Sequence, residues 1–349
     1  MMILVSFCLA IFFIFAAFAI NVTHIQLSKA ELRTAVDAAA RAAARELAEN
    51  ASSQQVTAKA IDIASRNTVA GKPLALSPSN VTLGQSTVVN GRFVFTPNAT
   101  PINSVKVFGD RASTNRIGSV FGGLLGMPTY GASECSTAVR ADRDIMVVID
   151  RSGSMMRRLD DLVAFPPGCD ETTPPHPTMS RWAKLLAGYS IFLNVLDATD
   201  SIEHVGLTTY GSDSSQDLDL TSDYTATYNS LLERSSYAMI GMTNLGDGMA
   251  DGLQNMFYGS GVRAYAAKTI VLLTDGRPNV GSDPIQRAHE CKAANVVVHT
   301  ITFGAFADET IMRQIADITG GDFYAAPDDA TLQSAFEKIA KNVPILTVE

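Results

Sequence analysis

Cysteine and histidine are scarce in this chain, and their spacing suits no metal or redox chemistry. Among 349 residues there are 4 cysteines, Cys8, Cys135, Cys169 and Cys291, and 5 histidines, His24, His176, His204, His289 and His299. No cysteine pair has the CxxC spacing of a zinc or dithiol site, and the histidines form no ligand spacing. Cys8, inside an apolar stretch, reads as a small hydrophobe. For Cys135, Cys169 and Cys291 two readings stay open: three thiols, or one disulfide whose pairing spacing does not rank. A basic surplus is also missing: 27 Lys and Arg stand against 35 Asp and Glu, a net charge of −8. Such a surface repels phosphate backbones, which argues against nucleic acid as a partner. A Gly-x-Ser-x-Gly elbow is absent as well, so no serine here carries the usual mark of a nucleophile.

The first 20 residues lack charge altogether, and Ser6 and Cys8 are their only polar side chains. A run of roughly 20 apolar residues is the length a helix needs to cross a bilayer. A cleaved signal peptide is the rival reading, with Ala17-Phe18-Ala19 as a small-x-small cleavage pattern, but the run is long and no basic residue precedes it. Residues 1–20 are therefore expected to be a single-pass anchor. Lys29, Arg33 and Arg41 follow the run, and taken literally the positive-inside rule puts the body of the protein in the cytoplasm. A start further upstream, supplying a basic stretch, would reverse that orientation.

Against this background, 46% of the residues are hydrophobic and 18% charged, enough for a sizeable core, and the length suits two domains with something left over. From 21 to 66 an alanine-rich helix is expected. Leu32, Val36, Ala40, Ala43 and Leu47 recur at helical spacing, with a break near Asn50-Ala51-Ser52-Ser53. The stripe of small residues suits either a plain stalk or close packing against similar helices. Residues 67–140 read as a small β-rich module. Val81-Thr-Leu, Ser86-Thr-Val-Val, Arg92-Phe-Val-Phe and Ser104-Val-Lys-Val-Phe are strand-like, and Asn90-Gly91 is a hairpin signal. The glycine-rich apolar stretch Ser119 to Met127 fits a buried loop or a lipid-facing patch equally well.

From 141 to 343 strand and helix signals alternate. Ile145-Met-Val-Val-Ile, His204-Val-Gly-Leu-Thr-Thr, Thr269-Ile-Val-Leu-Leu, Val296-Val-Val-His-Thr-Ile and the short Asp322-Phe-Tyr-Ala read as strands. Helical periodicity runs over Trp182 to Leu196, Leu245 to Phe257, Ile311 to Ile318 and Ala330 to Ala340. The expected fold is α/β: a doubly wound, mostly parallel sheet covered on both faces. Met156 to Pro177, rich in Pro, Gly and Asp, reads as a surface insertion, and residues 344–349 as a tail.

Two of the buried strands end in aspartate, Asp150 and Asp275. In an open parallel sheet ligands bind outside the carboxyl ends of the strands, where strand order reverses. If these two strands are neighbours, both carboxylates face one crevice. Hydroxyls follow the first at alternate positions, in Asp150-Arg151-Ser152-Gly153-Ser154, and Thr243 supplies another just before a helix. Hard cations such as Mg²⁺ take oxygen ligands and keep several waters, which suits few charges and several neutral hydroxyls. Other candidates are weaker. Gly246-Asp-Gly248-Met-Ala-Asp-Gly252 has the wrong spacing for a dinucleotide loop, and Asp247 and Asp251 suit the dipole at a helix start.

Asp150-x-Ser152-x-Ser154, Thr243 in Gly241-x-Thr-Asn-Leu-Gly246, and Asp275 in Leu273-Thr-Asp-Gly276 resemble the metal-ion-dependent adhesion site of von Willebrand factor A domains. All five positions are present in the family order. The resemblance implies a divalent cation, Mg²⁺ or else Mn²⁺ or Ca²⁺, touched by the Ser152, Ser154 and Thr243 hydroxyls. Asp150 and Asp275 would act directly or through water, and one position would stay open for a Glu or Asp of a protein partner. The N-terminal region, from Ile20 through Val36-Asp37-Ala38-Ala39, looks like that of TadE/TadG-like proteins of Flp (tight adherence) pilus assembly.

These readings imply a membrane-anchored, non-enzymatic binding protein of the bacterial inner membrane. The A domain is expected on the periplasmic or extracellular side, in pilus assembly or adhesion, with helix-mediated assembly with pilin-like proteins. The alternative is a cytosol-facing adaptor for a chaperone-type ATPase or a metal-insertion system. A hydrolase is disfavoured because no base accompanies Ser152 or Ser154. In a secreted eukaryotic adhesion protein, Asn80-Val-Thr and Asn98-Ala-Thr would be glycosylation sites.

Overall fold

The computed structural model describes residues 2–48, 51–89, 92–112, 115–123, 126–160, 164–199, 203–263, 266–304, 307–342 and 345–348. The chain divides into two compact units, Met1–Ala141 with Ile345–Glu349, and Asp142–Pro344.

The first unit begins with α1 (Met2–Ala48), one uninterrupted helix that carries the apolar run straight into the alanine-rich segment. At 47 residues it is about 70 Å long. Its first half is long and apolar enough to cross a membrane. The chain breaks where Asn50 to Ser53 predicts. Ser52 caps α2 (Ser53–Arg66), and Gln55 returns its side chain to the Ser52 N–H at 2.9 Å. This reciprocal box satisfies donors that a helix start leaves open.

Two short strands, β1 (Thr68–Val69) and β2 (Lys72–Pro73), form a hairpin. β3 (Val81–Val89), β4 (Arg92–Pro97) and β5 (Ser104–Asp110) follow, then the small pair β6 (Ile117–Gly118) and β7 (Thr129–Tyr130), and β8 (Ser133–Arg140). The Asn90-Gly91 turn lies outside the described residues, but the β3–β4 ladder brackets it with Val89 opposite Arg92.

The helix and the β-rich module, expected as separate domains, share one core. Leu32, Val36, Ala40 and Ala43 of α1 pack with Val56 and Ala60 of α2 and with Val105, Val107 and Ala138 of the sheet. The small-residue stripe is thus largely covered by its own chain, which excludes the plain stalk. A Cβ on Gly109 would stand 2.6 Å from Val36 Cγ1, so glycine is what lets α1 lie this close to the strand. The expected tail is a strand instead: Ile345–Val348 pairs antiparallel with β8, from Ile345 opposite Arg140 to Val348 opposite Thr137. Without it β8 would present an open row of backbone donors and acceptors. All four cysteines are free thiols.

The second unit is the α/β layer structure. Its helices and strands are β9 (Arg143–Asp150), α3 (Arg181–Asp197), β10 (His204–Tyr210), β11 (Ser214–Thr221), α4 (Tyr224–Glu233), α5 (Leu245–Tyr258), β12 (Ala267–Thr274), α6 (Pro284–Ala293), β13 (Val297–Phe303), α7 (Glu309–Thr319), β14 (Phe323–Ala326) and α8 (Asp329–Lys341). The six-stranded sheet has the order β11-β10-β9-β12-β13-β14, parallel except for the edge strand β11.

Every residue of β9 is buried because both faces are covered. Ile145, Val147 and Ile149 meet Trp182, Leu185 and Phe192 of α3 and Phe336 of α8. Met146 and Val148 meet Met249 and Met256 of α5 and Met312 of α7. The chain leaves β9 for β10 on one side and later enters β12 on the other, so the winding reverses beside β9. The β9–β12 register runs to Leu273 opposite Ile149, which brings Asp150 and Thr274 side by side at the carboxyl ends.

Candidate metal centre

The five residues singled out in the sequence come from three loops over this crevice. Asp150 closes β9 and is fully buried. Its carboxylate accepts from the Ser152 N–H at 2.8 Å on Oδ1 and from Thr274 Oγ1 at 2.8 Å on Oδ2. Ser152 leads into a short 3₁₀ turn, Gly153–Met156, which brings the hydroxyls of Ser152 and Ser154 within 2.9 Å of each other. Ser154 Oγ donates to Asp275 Oδ1 at 2.6 Å. One connected set of oxygens therefore runs from Asp150 through the serine loop to Asp275.

Thr243 reaches the same place from the loop ahead of α5. Asn244 caps that helix, accepting from the Asp247 N–H at 3.2 Å. Thr243 is held by Asn279, from the loop after β12: its N–H donates to Asn279 Oδ1 at 2.9 Å, and the Asn279 N–H donates to the Thr243 carbonyl at 3.2 Å. Gly276 lies between the loops, where an added Cβ would sit 3.2 Å from Thr243 Oγ1 and 3.8 Å from Ser154 Oγ. The Thr243 and Ser154 hydroxyls thus flank one small gap.

Burial and mutual repulsion govern the electrostatics of the two carboxylates. Burial raises the Asp150 carboxyl above the usual carboxylate range, and repulsion from Asp275 adds to it. Burial raises Asp275 as well, opposed by the Arg181 guanidinium and the Ser154 hydroxyl. Two buried carboxylates with one buried arginine are short of positive charge. The donor set consists of hard oxygens, two anionic and three neutral, which fits Mg²⁺ or a similar ion rather than a soft metal. Ser152, Ser154 and Thr243 would hold such an ion through hydroxyls, and Asp150 and Asp275 would supply its counter-charge.

A cleft of about 480 Å³ opens over the loops, lined by Ser154, Arg157, Phe165, Arg181, Asp275 and Arg277 among others. Histidine is absent from its described lining, and the serine hydroxyls bond to each other and to Asp275. The other sequence candidates stand apart. Asp247 accepts from Ser282 Oγ at 2.6 Å and steadies the start of α5, and His204 bonds the Gly261 carbonyl at 2.7 Å.

Three further side chains hold these residues in place. Arg181, the first residue of α3, donates from Nη1 to Asp275 Oδ2 at 2.7 Å with both side chains buried. Asn279 orients Thr243, and Thr274 holds Asp150. Thr274 adjoins Asp275 and was visible in the Leu-Thr-Asp-Gly stretch. Arg181 and Asn279 carry no spacing that points to the site.

Comparison with known proteins shows the family of each part of the chain. The model of the von Willebrand factor type A domain matches residues 144–338, and that of the putative Flp pilus-assembly TadE/G-like family matches residues 1–46. The uncharacterized protein YwmC of Bacillus subtilis (strain 168) is 24% identical over 229 residues, 63% of this chain and 91% of that protein. Proximal thread matrix protein 1 from the mussel byssus, solved with a zinc-occupied MIDAS motif, is similar at 18% identity and a TM-score of 0.45, over 57% of this chain and 47% of that one. The chain thus spans about half the length of the mussel protein. The PilB minor pilin from Streptococcus sanguinis is similar at 14% identity and a TM-score of 0.45, over 76% of this chain and 79% of that one. The type A match takes in more than half of the 349 residues, and the chain belongs to the von Willebrand factor type A domain family, with a TadE/G-like segment at its N-terminus.

Proposed function

We propose that this is a membrane-anchored binding protein without catalytic activity. Its second unit holds Mg²⁺, or a similar divalent ion, between Asp150, Ser152, Ser154, Thr243 and Asp275, and presents that ion to a Glu or Asp of a protein partner. The observation that carries the reading is the convergence of two buried carboxylates and three hydroxyls on one strand-end crevice under an open cleft. An ion held by few charges stays electrophilic enough to take a foreign carboxylate. Arg157 and Arg277 against the single Glu171 in the described cleft lining favour an acidic partner too.

The TadE/G-like match at residues 1–46 supports a role in Flp-type pilus assembly or adhesion at the bacterial envelope. We place α1 in the inner membrane and the A domain on its outer side. Association with pilin-like helices falls to the exposed first half of α1, because the alanine stripe further on is largely covered. Lys29, Arg33 and Arg41, which follow the apolar run, favour a second reading, a cytosol-facing adaptor for a chaperone-type ATPase or metal-insertion system. Protease protection of the A domain in spheroplasts separates the two.

The metal reading is tested by thermal melts of the full chain with EDTA and with Mg²⁺. Mg²⁺ should raise the midpoint of the wild type, by the equivalent of about 2.7 kcal/mol at a hundredfold excess over Kd. Asp150→Ala should show no such rise. Equal shifts in the two proteins would remove the assignment.

A further inference from the structure

The apolar hairpin loop between β6 and β7 lies along α1 at the end of its membrane-length run. Tyr130 of β7 is buried against the helix. Its hydroxyl donates to Ser28 Oγ at 2.9 Å and lies 3.1 Å from His24 Nδ1, and the two rings meet edge to face at 5.9 Å. Nearer the tip, the Phe121 N–H donates to Asn21 Oδ1 at 2.9 Å. From the base of the hairpin towards its tip, the contacts step from Ser28 to Asn21, about 10 Å along the helix axis. The hairpin therefore points towards the apolar run, and Asn21 is the first residue beyond it.

Burial on this face continues into the run itself. Ala17, one turn before Asn21 on the same face, is 5% exposed, whereas Phe13, Phe18 and Ile20 around it are 60%, 57% and 47% exposed. The described ends of the loop are tied to each other and to the core. Ile117 is buried in the core of the unit, the Ser119 N–H bonds the Pro128 carbonyl at 2.9 Å, and the Met127 N–H bonds the Gly122 carbonyl at 2.7 Å. Yet Val120, Phe121 and Met127 are 54%, 40% and 60% exposed. Three exposed apolar side chains beside an exposed apolar helix make a surface that water does not suit.

We infer that the β6–β7 loop is a second membrane-contact element, inserting Val120, Phe121 and Met127 into the interfacial layer of the bilayer beside α1. It sets the depth and tilt of the helix, since one helix alone is free to tilt and rotate. The inference rests on the membrane-embedded reading of the first half of α1, and its occupant is lipid, not a protein partner.

The chain holds one tryptophan, Trp182, which is buried in the second unit and serves as a fixed background. The full-length protein is reconstituted in phosphatidylcholine vesicles as wild type, Phe121→Trp, Met127→Trp and Phe12→Trp, without brominated lipid and with lipid brominated near the headgroup end of the acyl chain or, for Phe12→Trp, near its methyl end. Phe12→Trp reports on α1. The expected result is loss of emission in brominated lipid for all three variants beyond that of the wild type, with a blue shift for Phe121→Trp. Quenching of Phe12→Trp without quenching of Phe121→Trp or Met127→Trp overturns the loop's role and leaves the anchor standing. No quenching of Phe12→Trp overturns the anchor and the loop together.

Discussion

Arg181 Nη1 donates to Asp275 Oδ2 at 2.7 Å while Ser154 Oγ donates to Oδ1 of the same carboxylate at 2.6 Å, so Asp275 is held from both sides. Arg181 also bonds the Arg158 carbonyl through Nε at 3.2 Å, which ties the start of α3 to the loop beneath the cleft. The guanidinium supplies part of the positive charge that two buried carboxylates require, and it does so without occupying the gap between the hydroxyls.

Arg181→Met removes that charge and leaves Asp275 buried against an apolar side chain. Loss of one partner of a buried pair is costly, about 3–5 kcal/mol, because the other charge remains. The melting midpoint in EDTA should therefore fall well below that of the wild type. The rise on adding Mg²⁺ should be larger than in the wild type, since the ion becomes the only counter-charge. Paired melts measure both. An unchanged EDTA midpoint would show that the ion pair contributes nothing to the fold.

Asn279→Ala tests a different contribution. The side chain orients Thr243 by accepting from its backbone N–H. Losing it should cost the metal-free fold about 1 kcal/mol, the worth of one hydrogen bond. Partners that orient metal ligands matter more to the ion, so Mg²⁺ affinity should fall roughly 10–100-fold. Calorimetric titration against the wild type checks this. A loss of about 1 kcal/mol with unchanged affinity would assign Asn279 to the loop alone.

These two side chains also mark where the sequence stops being informative. Asp150 and Asp275 are legible because each ends an apolar strand, and β9 is apolar throughout because both its faces are buried. Ser152, Ser154 and Thr243 are legible by spacing. Arg181 and Asn279 reach the site from other loops, and no local pattern relates them to it. β11 hid for another reason: as a polar antiparallel edge, Ser214–Thr221 satisfies its charges laterally, Asp217 with Arg234 and Asp219 with Ser260, and shows no apolar run. The strand Ile345–Val348 is only four residues long and joins its sheet through backbone pairing with β8, which composition does not announce.

His299 makes the second unit sensitive to mild acid. The ring is buried in β13, and its Nδ1 accepts from the Asp322 N–H at 3.0 Å, so the bonded form is neutral. Burial lowers its pKa below the ordinary 6.5, against the pull of the Asp322 carboxylate. Between the folded and unfolded values the unfolded chain takes up a proton that the folded one refuses. The contribution is therefore complete above about pH 6.5 and is lost as the pH falls through the folded value, with a slope no steeper than about 1.4 kcal/mol per pH unit. His299→Gln should flatten the urea-midpoint curve below pH 6.5 relative to the wild type. Parallel curves would mean that other groups dominate the acid limb.

The close approach of Gly109 to Val36 predicts a compensating pair in the first unit. An alanine Cβ at 109 would lie 2.6 Å from Val36 Cγ1 and 3.0 Å from Leu32 Cδ1, both inside a closed core. Val36 is β-branched and on a helix, so it has little rotamer freedom with which to give way. Gly109→Ala should destabilise the unit by about 1–3 kcal/mol, the usual cost of overpacking. Val36→Ala alone should also destabilise, through the cavity it leaves. The double variant should be more stable than the sum of the two losses, because the added methyl partly refills the space that the valine vacates. Denaturant unfolding of the four proteins gives the coupling directly. Strict additivity would mean that α1 and β5 are further apart in solution than this packing requires.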